Sequence, residues 1–212
     1  MAIARIKRAA VLVAIALFIA LLAYGLLTKA PNDSIDQRLS DGRSAAAPAF
    51  SLELLEPGEL PGRLEPVMAR AASDGRLSLK ELAGTPVVLN LWASWCSPCR
   101  QEASMLESGW QRWGGRGVLF LGLDIQDVRG DARGFLKQFG ISYPTIRDPG
   151  KGVANDYGAT GIPETYFLSS RGRVVAHVVG VVSERQLDSG VEAARAGRVA
   201  GKVEGGARRK TR

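Results

Sequence analysis

The chain has 212 residues and a formal net charge of +7, with 46% hydrophobic and 23% charged residues. This composition excludes wholesale disorder, and the two cysteines exclude both a disulfide-dense scaffold and a four-cysteine zinc site. The excess charge lies at the ends, because Arg5, Lys7 and Arg8 stand near the N-terminus and the segment from Gly201 onward is basic. A nucleic-acid-binding domain would carry its excess on a folded face, so this pattern argues against one.

The N-terminal segment predicts a membrane anchor. Residues 9–27, AAVLVAIALFIALLAYGLL, contain no charge and no proline, and a helix of this length crosses a hydrocarbon core of ~30 Å. A cleaved signal peptide is the rival interpretation, but its apolar core is usually shorter and residues 28–30 form a poor cleavage site. Because bases precede the span, we expect residues 1–28 to be a cytoplasmic basic end and a single-pass anchor in the cell membrane. The body would then lie outside the cytoplasm, in the periplasm or at the cell surface.

The next stretch combines a linker, a strand and an insertion. Residues 29–48 are small and polar without a sustained apolar period, which predicts a linker. Residues 50–54 alternate apolar and polar side chains and predict a strand. A Pro- and Gly-rich insertion follows at about 56–72, to which the sequence assigns no structure. Ser78 and Glu81 have the spacing of a capping box, which predicts a short helix directly after Ser78.

Two buried strands flank an amphipathic helix in the middle of the chain. Residues 86–93 (PVVLNLWA) and 117–124 (GVLFLGLD) are nearly continuous apolar runs, the pattern of strands buried on both faces. Between them, apolar residues recur at steps of three and four, which predicts a helix with one buried face. This stripe consists of Cys99, Ala103, Leu106, Trp110 and Trp113.

The remaining elements complete an α/β pattern. Periodicity and capping signals predict a helix over 131–139 that Gly140 ends, strands over 165–168 and 174–179, and a helix after Ser183. Strands alternate with helices and finish as a hairpin plus helix, so residues 49–198 predict one α/β domain around a single sheet. Residues 199–212 are rich in glycine and bases, which predicts a disordered tail.

The segment Cys96-Ser97-Pro98-Cys99 is the motif that carries chemistry. It lies where a predicted buried strand meets a helix N-terminus, whose free N–H groups and dipole stabilise a sulfur anion. The thiolate is the attacking species in thiol chemistry, and the three-residue step allows the second sulfur to close a disulfide with the first. We expect Cys96 to be the exposed nucleophile and Cys99, on the inward stripe, to be the resolving thiol.

Other interpretations of the two cysteines are less favoured. Zinc would need more ligands, and the single histidine, His177, lies on a distant predicted strand. A purely structural disulfide is unusual at a helix start. A thiol peroxidase would need a cysteine in a Pro-x-x-x-Thr-x-x-Cys setting, which neither cysteine has. The alternative function that stays open is a binding module, or a copper-delivery module that uses both thiols.

Two stretches, VVLNLWASWCSPCRQE and YGATGIPETYFL, are similar to those of the membrane-anchored, extracytoplasmic thioredoxin-like proteins of the TlpA/ResA/CcmG (DsbE) group. The resemblance covers about residues 46–197. It implies a thioredoxin-like fold, with a central mixed sheet flanked by helices, and a thiol-disulfide oxidoreductase without a cofactor. It further implies clients among exported proteins with cysteine pairs, such as apocytochromes c during cytochrome c maturation. The implied electron donor is a membrane protein of the CcdA or DsbD kind.

The resemblance also assigns roles to residues near the cysteine pair. It implies that Pro163 is a cis-proline opposite the disulfide and that Glu102, in a C-x-x-C-x-x-E pattern, handles protons. Both would act with the two cysteines in catalysis. Asn90 stands where cytosolic thioredoxins bury an aspartate. The residues expected to contact the client are Trp95, Ser97, Pro98, Ile162 and Glu164.

Charge near the thiols gives an expectation for the direction of electron flow. The helix N-terminus lowers the pKa of Cys96, whereas negative charge on Glu102 and Glu164 raises it by disfavouring the anion. A strong oxidant of this fold depends on a stabilised reduced form, so we expect a reductant. The substitution Glu102→Gln is then expected to lower the pKa of Cys96 and to make the couple more oxidising.

Overall fold

A computed structural model describes the backbone of residues 2–28 and 33–210, and the chain divides into two compact units after residue 31. In the first unit, helix α1 (Ala2–Thr28) is described with the side chains of Arg8 and residues 11–25. Within the residues that the structure describes, no helix is long and apolar enough to cross a membrane. The anchor is therefore not confirmed and stays a prediction.

The second unit is built on a mixed sheet. Its strands are β1 (Ala45–Ala46), β2 (Ser51–Glu56), β3 (Arg76–Ser78), β4 (Val87–Trp92), β5 (Leu119–Ile125), β6 (Thr145–Asp148), β7 (Gly161–Ile162), β8 (Glu164–Leu168), β9 (Arg173–Val179), β10 (Gly201–Glu204) and β11 (Arg209–Lys210). Nine strands form one sheet in the order β1-β9-β8-β4-β5-β6-β2-β3, with β10 beside β9, while β7 pairs with β11. Strands β4, β5 and β6 run parallel, and β8 is antiparallel to both β4 and β9.

The described residues of this unit form six helices. They are α2 (Ser34–Ser40), α3 (Glu65–Asp74), α4 (Ser97–Trp113), α5 (Arg129–Phe139), α6 (Gly152–Asp156) and α7 (Glu184–Ala196), with short 3-10 helices at Leu79–Leu82 and Gly114–Arg116. Strands β4 and β5 are buried at every position, and α4 buries the whole predicted stripe. The predicted α/β domain with a mixed sheet flanked by helices is therefore present.

Local signals account for where several helices begin and end. Ser78 and Ser183 each form a capping box, the first before a 3-10 helix and the second before α7. Gly140 ends α5 with a φ of 61°, a left-handed conformation that costs glycine no steric strain. These short-range rules fix the ends of elements because they depend only on neighbouring residues.

The prediction of a linker is wrong for the part of residues 29–48 that the structure describes. Residues 33–48 include α2 and β1, and Ile35 and Leu39 on α2 are buried. Ala45 on β1 pairs with β9 in antiparallel register. A single apolar pair at four-residue spacing makes a buried helix face, although the surrounding composition is small and polar. Residues 29–32, where the predicted linker begins, lie outside the described residues.

Two further regions fold without a sequence prediction. The insertion at 56–72 leads into α3, and Leu64 and Met68 there are buried. Strand β6 lies inside the main sheet between β5 and β2. Its four residues include Arg147 and Asp148, so they show no apolar run by which a strand could be predicted.

The predicted disordered tail is also wrong for its described part. Strand β10 pairs with β9 in parallel, and β11 pairs with β7 in antiparallel register. Backbone hydrogen bonds hold this segment while most of its side chains stay exposed, so composition gives no sign of it. Residues 211–212 lie outside the described residues.

Candidate active site

The two cysteines form a disulfide at the N-terminus of α4. Their Sγ atoms are 2.01 Å apart. Cys96 is the N-cap residue, and its Sγ accepts a hydrogen bond from the Cys99 backbone N–H at 3.1 Å. The same N–H would stabilise a thiolate at Cys96 after reduction. The expected exposure of Cys96 is wrong for the disulfide form: it is 0% exposed, since its sulfur is bonded to the inward-facing Cys99.

The loop after β5 holds the turn that precedes the disulfide. Asp127 accepts hydrogen bonds from the Ser94 backbone N–H at 2.5 Å and from its hydroxyl at 2.8 Å. The Gln126 carbonyl accepts one from the Trp95 indole N–H at 3.0 Å. Sequence reasoning missed Asp127. Its place just after a strand parallel to β4 was an available signal, because the carboxyl ends of parallel strands meet at one edge.

The peptide bond between Ile162 and Pro163 is cis, as the resemblance implied. It joins the two-residue strand β7 to β8. The Pro163 carbonyl accepts a hydrogen bond from the Gly180 N–H at 2.9 Å, which ties the turn to the end of β9. In the β4–β8 pairing, Glu164 lies opposite Leu91. The start of β8 and the end of β4 therefore bring Pro163 and the disulfide to the same edge of the sheet.

The residues expected to contact a client lie at different depths. Trp95 is 38% exposed, Ser97 is exposed and Pro98 is half-buried. By contrast, Ile162 is 0% and Glu164 1% exposed. The first three side chains can meet a client at the surface beside the disulfide. Ile162 can offer only its backbone, and Glu164 is covered in this structure, so a client can meet its carboxylate only after displacing a group that covers it.

Glu102 lies one turn after Cys99 on the inward face of α4 and is 1% exposed. One carboxyl oxygen accepts a hydrogen bond from the Asn90 amide and the other from the Val182 backbone N–H, both at 2.8 Å. Burial raises the pKa of Glu102 to about 8, and these two hydrogen bonds offset only part of that rise. A group with such a pKa can accept or donate a proton near neutral pH.

Glu164 is equally buried but has different neighbours. Its Oε1 accepts hydrogen bonds from the backbone N–H groups of Thr160 at 3.1 Å and Gly161 at 3.0 Å. Its Oε2 lies 3.1 Å from His177 Nε2, and His177 Nδ1 lies 2.7 Å from Asp36 Oδ1. Burial alone would lower the pKa of His177, but the hydrogen bonds with both carboxyl groups raise it above its usual value. Glu164 thus braces the segment that leads into Pro163.

These neighbours correct the expected charge around Cys96. Below about pH 8 Glu102 holds its proton, so it does not supply the negative charge that was expected near the thiols at neutral pH. Glu164 is directed at His177 and at two backbone N–H groups. Burial of both cysteines still disfavours a thiolate, because desolvation penalises the charged form.

Sequence comparisons agree with this geometry. The profile of the AhpC/TSA family matches residues 44–177. The thiol-disulfide oxidoreductase ResA of Bacillus anthracis is 28% identical over 113 residues, which are 53% of this chain and 65% of ResA, just under two thirds of its length. The thiol:disulfide interchange protein HelX of Rhodobacter capsulatus is 32% identical over 142 residues, 64% of this chain and 73% of HelX.

Solved structures share the fold. A thioredoxin-family thiol:disulfide interchange protein from Chlorobium tepidum superposes with a TM-score of 0.56 at 25% identity, covering 72% of this chain and 97% of that one. A DsbF homologue from Corynebacterium diphtheriae gives 0.57 at 26% identity, covering 72% and 88%. The thioredoxin-like fold and the resemblance to the ResA and DsbE group are thereby confirmed.

Proposed function

Because the chain belongs to the AhpC/TSA family, we propose that it is a thiol-disulfide oxidoreductase that reduces disulfides of exported proteins. The observation that carries the proposal is the Cys96–Cys99 disulfide at the N-cap of α4, with the cis peptide at Pro163 on the same sheet edge. One relative named as a thiol-disulfide oxidoreductase, ResA, and one named as a thiol:disulfide interchange protein, HelX, support the reaction class.

The proposed reaction moves two electrons from the protein dithiol to the client disulfide. The Cys96 thiolate attacks one client sulfur, so a Cys96–client bond forms while the client S–S bond breaks, and the released client thiolate takes up a proton. The Cys99 thiolate then attacks Cys96 Sγ, which closes the Cys96–Cys99 disulfide and releases the second client thiol. A dithiol donor must afterwards reduce the protein again.

Glu102 fits the proton transfer in the second step. Cys99 is 2% exposed, so its thiol must lose a proton where water has little access. Glu102 follows it by one helical turn on the same inward face, with a pKa of about 8. We propose that Glu102 accepts the Cys99 proton in those molecules in which Glu102 is ionised, so that the attack by Cys99 becomes faster as the pH approaches the Glu102 pKa of about 8.

Burial supports a reductant rather than an oxidant. A strong oxidant of this fold gains its potential from a stabilised thiolate. Both cysteines lie among buried residues, where desolvation disfavours the anion, against the stabilising N-terminus of α4. Desolvation of the two thiols, rather than negative charge on Glu102 and Glu164, thus favours a reductant.

The location and partners are proposed from the sequence. The uncharged segment 9–27, with bases before it, supports a membrane anchor and an extracytoplasmic body. A membrane thiol-transfer protein of the CcdA or DsbD kind would supply electrons there. Exported proteins with cysteine pairs, apocytochrome c among them, form the client class that the resemblance supports.

The test is to trap the mixed disulfide in cells. The Cys99→Ala variant should accumulate mixed disulfides through Cys96, because the intermediate forms but cannot be resolved. These adducts would be counted as thiol-sensitive bands on non-reducing gels and identified by mass spectrometry.

Cys96→Ala is the matched control, since it keeps one cysteine but lacks the attacking thiol. Equal trapping by both variants, or by neither, would overturn the assignment of Cys96 as nucleophile. The alternative function, a binding or copper-delivery module, predicts that Cys96 and Cys99 need not interconvert reversibly between dithiol and disulfide in an equilibrium redox titration.

A further inference from the structure

The segment 205–210 lies against the sheet edge that carries the site. After β10, the Gly205 N–H donates to the Val179 carbonyl at 2.7 Å and the Gly206 N–H to the Val181 carbonyl at 2.8 Å. The Val181 N–H then donates to the Ala207 carbonyl at 3.1 Å. Strand β11 follows, and its Arg209 pairs with Ile162, the residue before the cis-proline. Segment 205–210 thus runs from the end of β9 to the site.

Glycines make this path a close backbone fit. A Cβ built on Gly180 would lie 2.3 Å from the Gly206 carbonyl oxygen, and one built on Gly205 would lie 2.4 Å from that of Val181. Real side chains do not tolerate such distances, so the two stretches of backbone can approach only because these positions lack a Cβ. The docking therefore depends on glycine at these two positions.

Two arginines of the segment contact the site. Arg208 Nη1 donates to the Thr160 hydroxyl at 2.8 Å and lies 3.6 Å from Glu164 Oε1. The Arg209 guanidinium lies 5.5 Å from the centre of the Trp95 ring. One cation therefore meets the acidic group under the cis-proline turn, and the other covers the aromatic side chain next to Cys96.

We propose that the edge of β7, with Trp95 on one side and Glu164 on the other, binds an extended client segment that carries basic residues, and that residues 207–210 occupy this edge in the absence of a client. The proposal rests on the function proposed above. An extended peptide can add to a strand edge through main-chain hydrogen bonds while neighbouring side chains give specificity. The backbone of β11 already makes this pairing, and Arg208 and Arg209 show which side-chain charge the surface accepts.

It follows that a client has to displace residues 207–210. The apparent rate of reduction of every client is then proportional to the fraction of molecules in which the β7 edge is free. Selectivity is a separate property, because Trp95 and Glu164 remain after displacement and continue to favour a basic segment. The proposal thus makes one prediction for rate and another for preference.

Preference is tested with two synthetic peptides that contain the same Cys-x-x-Cys disulfide. One peptide has two flanking arginines and the other has two glutamates. The reduced full chain should reduce the arginine peptide about fivefold faster, as one ion pair with Glu164 and one cation–π contact with Trp95 allow. Equal rates, or a faster glutamate peptide, would overturn the proposed preference while leaving the oxidoreductase function intact.

Displacement is tested with Gly205→Ala, which brings a Cβ against Val181. It should raise the rates for both peptides about threefold, because a larger fraction of molecules has a free edge, and should leave their ratio unchanged. Gly115→Ala is the matched control, since a Cβ there meets nothing within 4 Å. Identical rates in the two variants would contradict occupation of the edge.

A redox-independent measurement separates this proposal from the proposed function. Arginine and glutamate peptides with serine in place of both cysteines are added to the oxidised full chain, and hydrogen exchange is followed in residues 207–210. The arginine peptide should speed exchange there and the glutamate peptide should not. If neither disulfide peptide is reduced, the proposed function fails, and this measurement still decides the binding surface. Unchanged exchange with both serine peptides would overturn it.

Discussion

Glu102 and Glu164 flank the same disulfide region, and each is 1% exposed. Among the residues that the structure describes, Glu102 meets only neutral donors, the Asn90 amide and a backbone N–H. Glu164 meets two backbone N–H groups, His177 and the guanidinium of Arg208. The two carboxyl groups therefore share burial but differ in the charge of their partners.

The difference teaches that burial alone does not decide what a carboxyl group does. Without a cation, desolvation favours the protonated form and produces a group that exchanges a proton near neutral pH. With cations and several N–H donors, a carboxyl group becomes a structural brace. Here Glu102 is suited to proton transfer, and Glu164 holds residues 160–161 and with them the cis-proline turn.

The largest expected effect comes from removing the brace. Glu164→Ala should lower the free energy of unfolding by about 3–5 kcal/mol, because it leaves His177 and two backbone N–H groups without their buried partner. Urea unfolding of the oxidised full chain, followed by near-UV circular dichroism, measures the loss. Glu164→Gln keeps an acceptor oxygen and should lose less. A cost below ~1 kcal/mol for Glu164→Ala, the range of an exposed ion pair, would show that Glu164 is no brace.

The next effect concerns the rate of thiol–disulfide exchange. Glu102→Gln should slow the closing of the Cys96–Cys99 disulfide about 100-fold, the lower end of what a positioned proton acceptor contributes. Single-turnover reduction of a client peptide between pH 6 and 9 measures it, and the wild-type inflection near the Glu102 pKa of about 8 should disappear. An unchanged profile would return Glu102 to a purely structural role and weaken the contrast with Glu164.

Taken per pH unit, the smallest effect is the dependence of stability on pH. Glu102 has a folded-state pKa of about 8 against an ordinary 4.5, so between these values the folded protein holds a proton that the unfolded chain has lost. Raising the pH must then lower the free energy of unfolding, by at most about 1.4 kcal/mol per pH unit for one proton. The wild type minus Glu102→Gln difference isolates this slope, since both proteins retain His177. A flat difference between pH 5 and 8 would contradict the raised pKa.

Local signals in the sequence predicted much of the fold. Strands β4 and β5, the stripe on α4, the capping boxes and the cysteine pair at a helix start all depend on residues within one element. The resemblance added the cis peptide at Pro163. These features could be predicted because neighbouring side chains determine them.

What the sequence could not predict depends on distant partners. The role of Glu164 is set by His177 on the next strand and by Arg208 in the tail, and the role of Asp127 by Ser94 in another loop. The tail itself folds through backbone contacts, which composition does not record. Pairings between different strands and loops arise only once the sheet has formed, and no periodicity in the sequence predicts them.

The position of Trp95 gives the protein an optical reporter of its own. Of the four tryptophans, Trp92, Trp110 and Trp113 are buried, whereas Trp95 is 38% exposed. Its emission therefore lies at longer wavelength than that of the others and is open to iodide quenching. Because Trp95 directly precedes Cys96 and a disulfide can quench a nearby indole, we expect the long-wavelength band to report the oxidation state of Cys96 without any attached label.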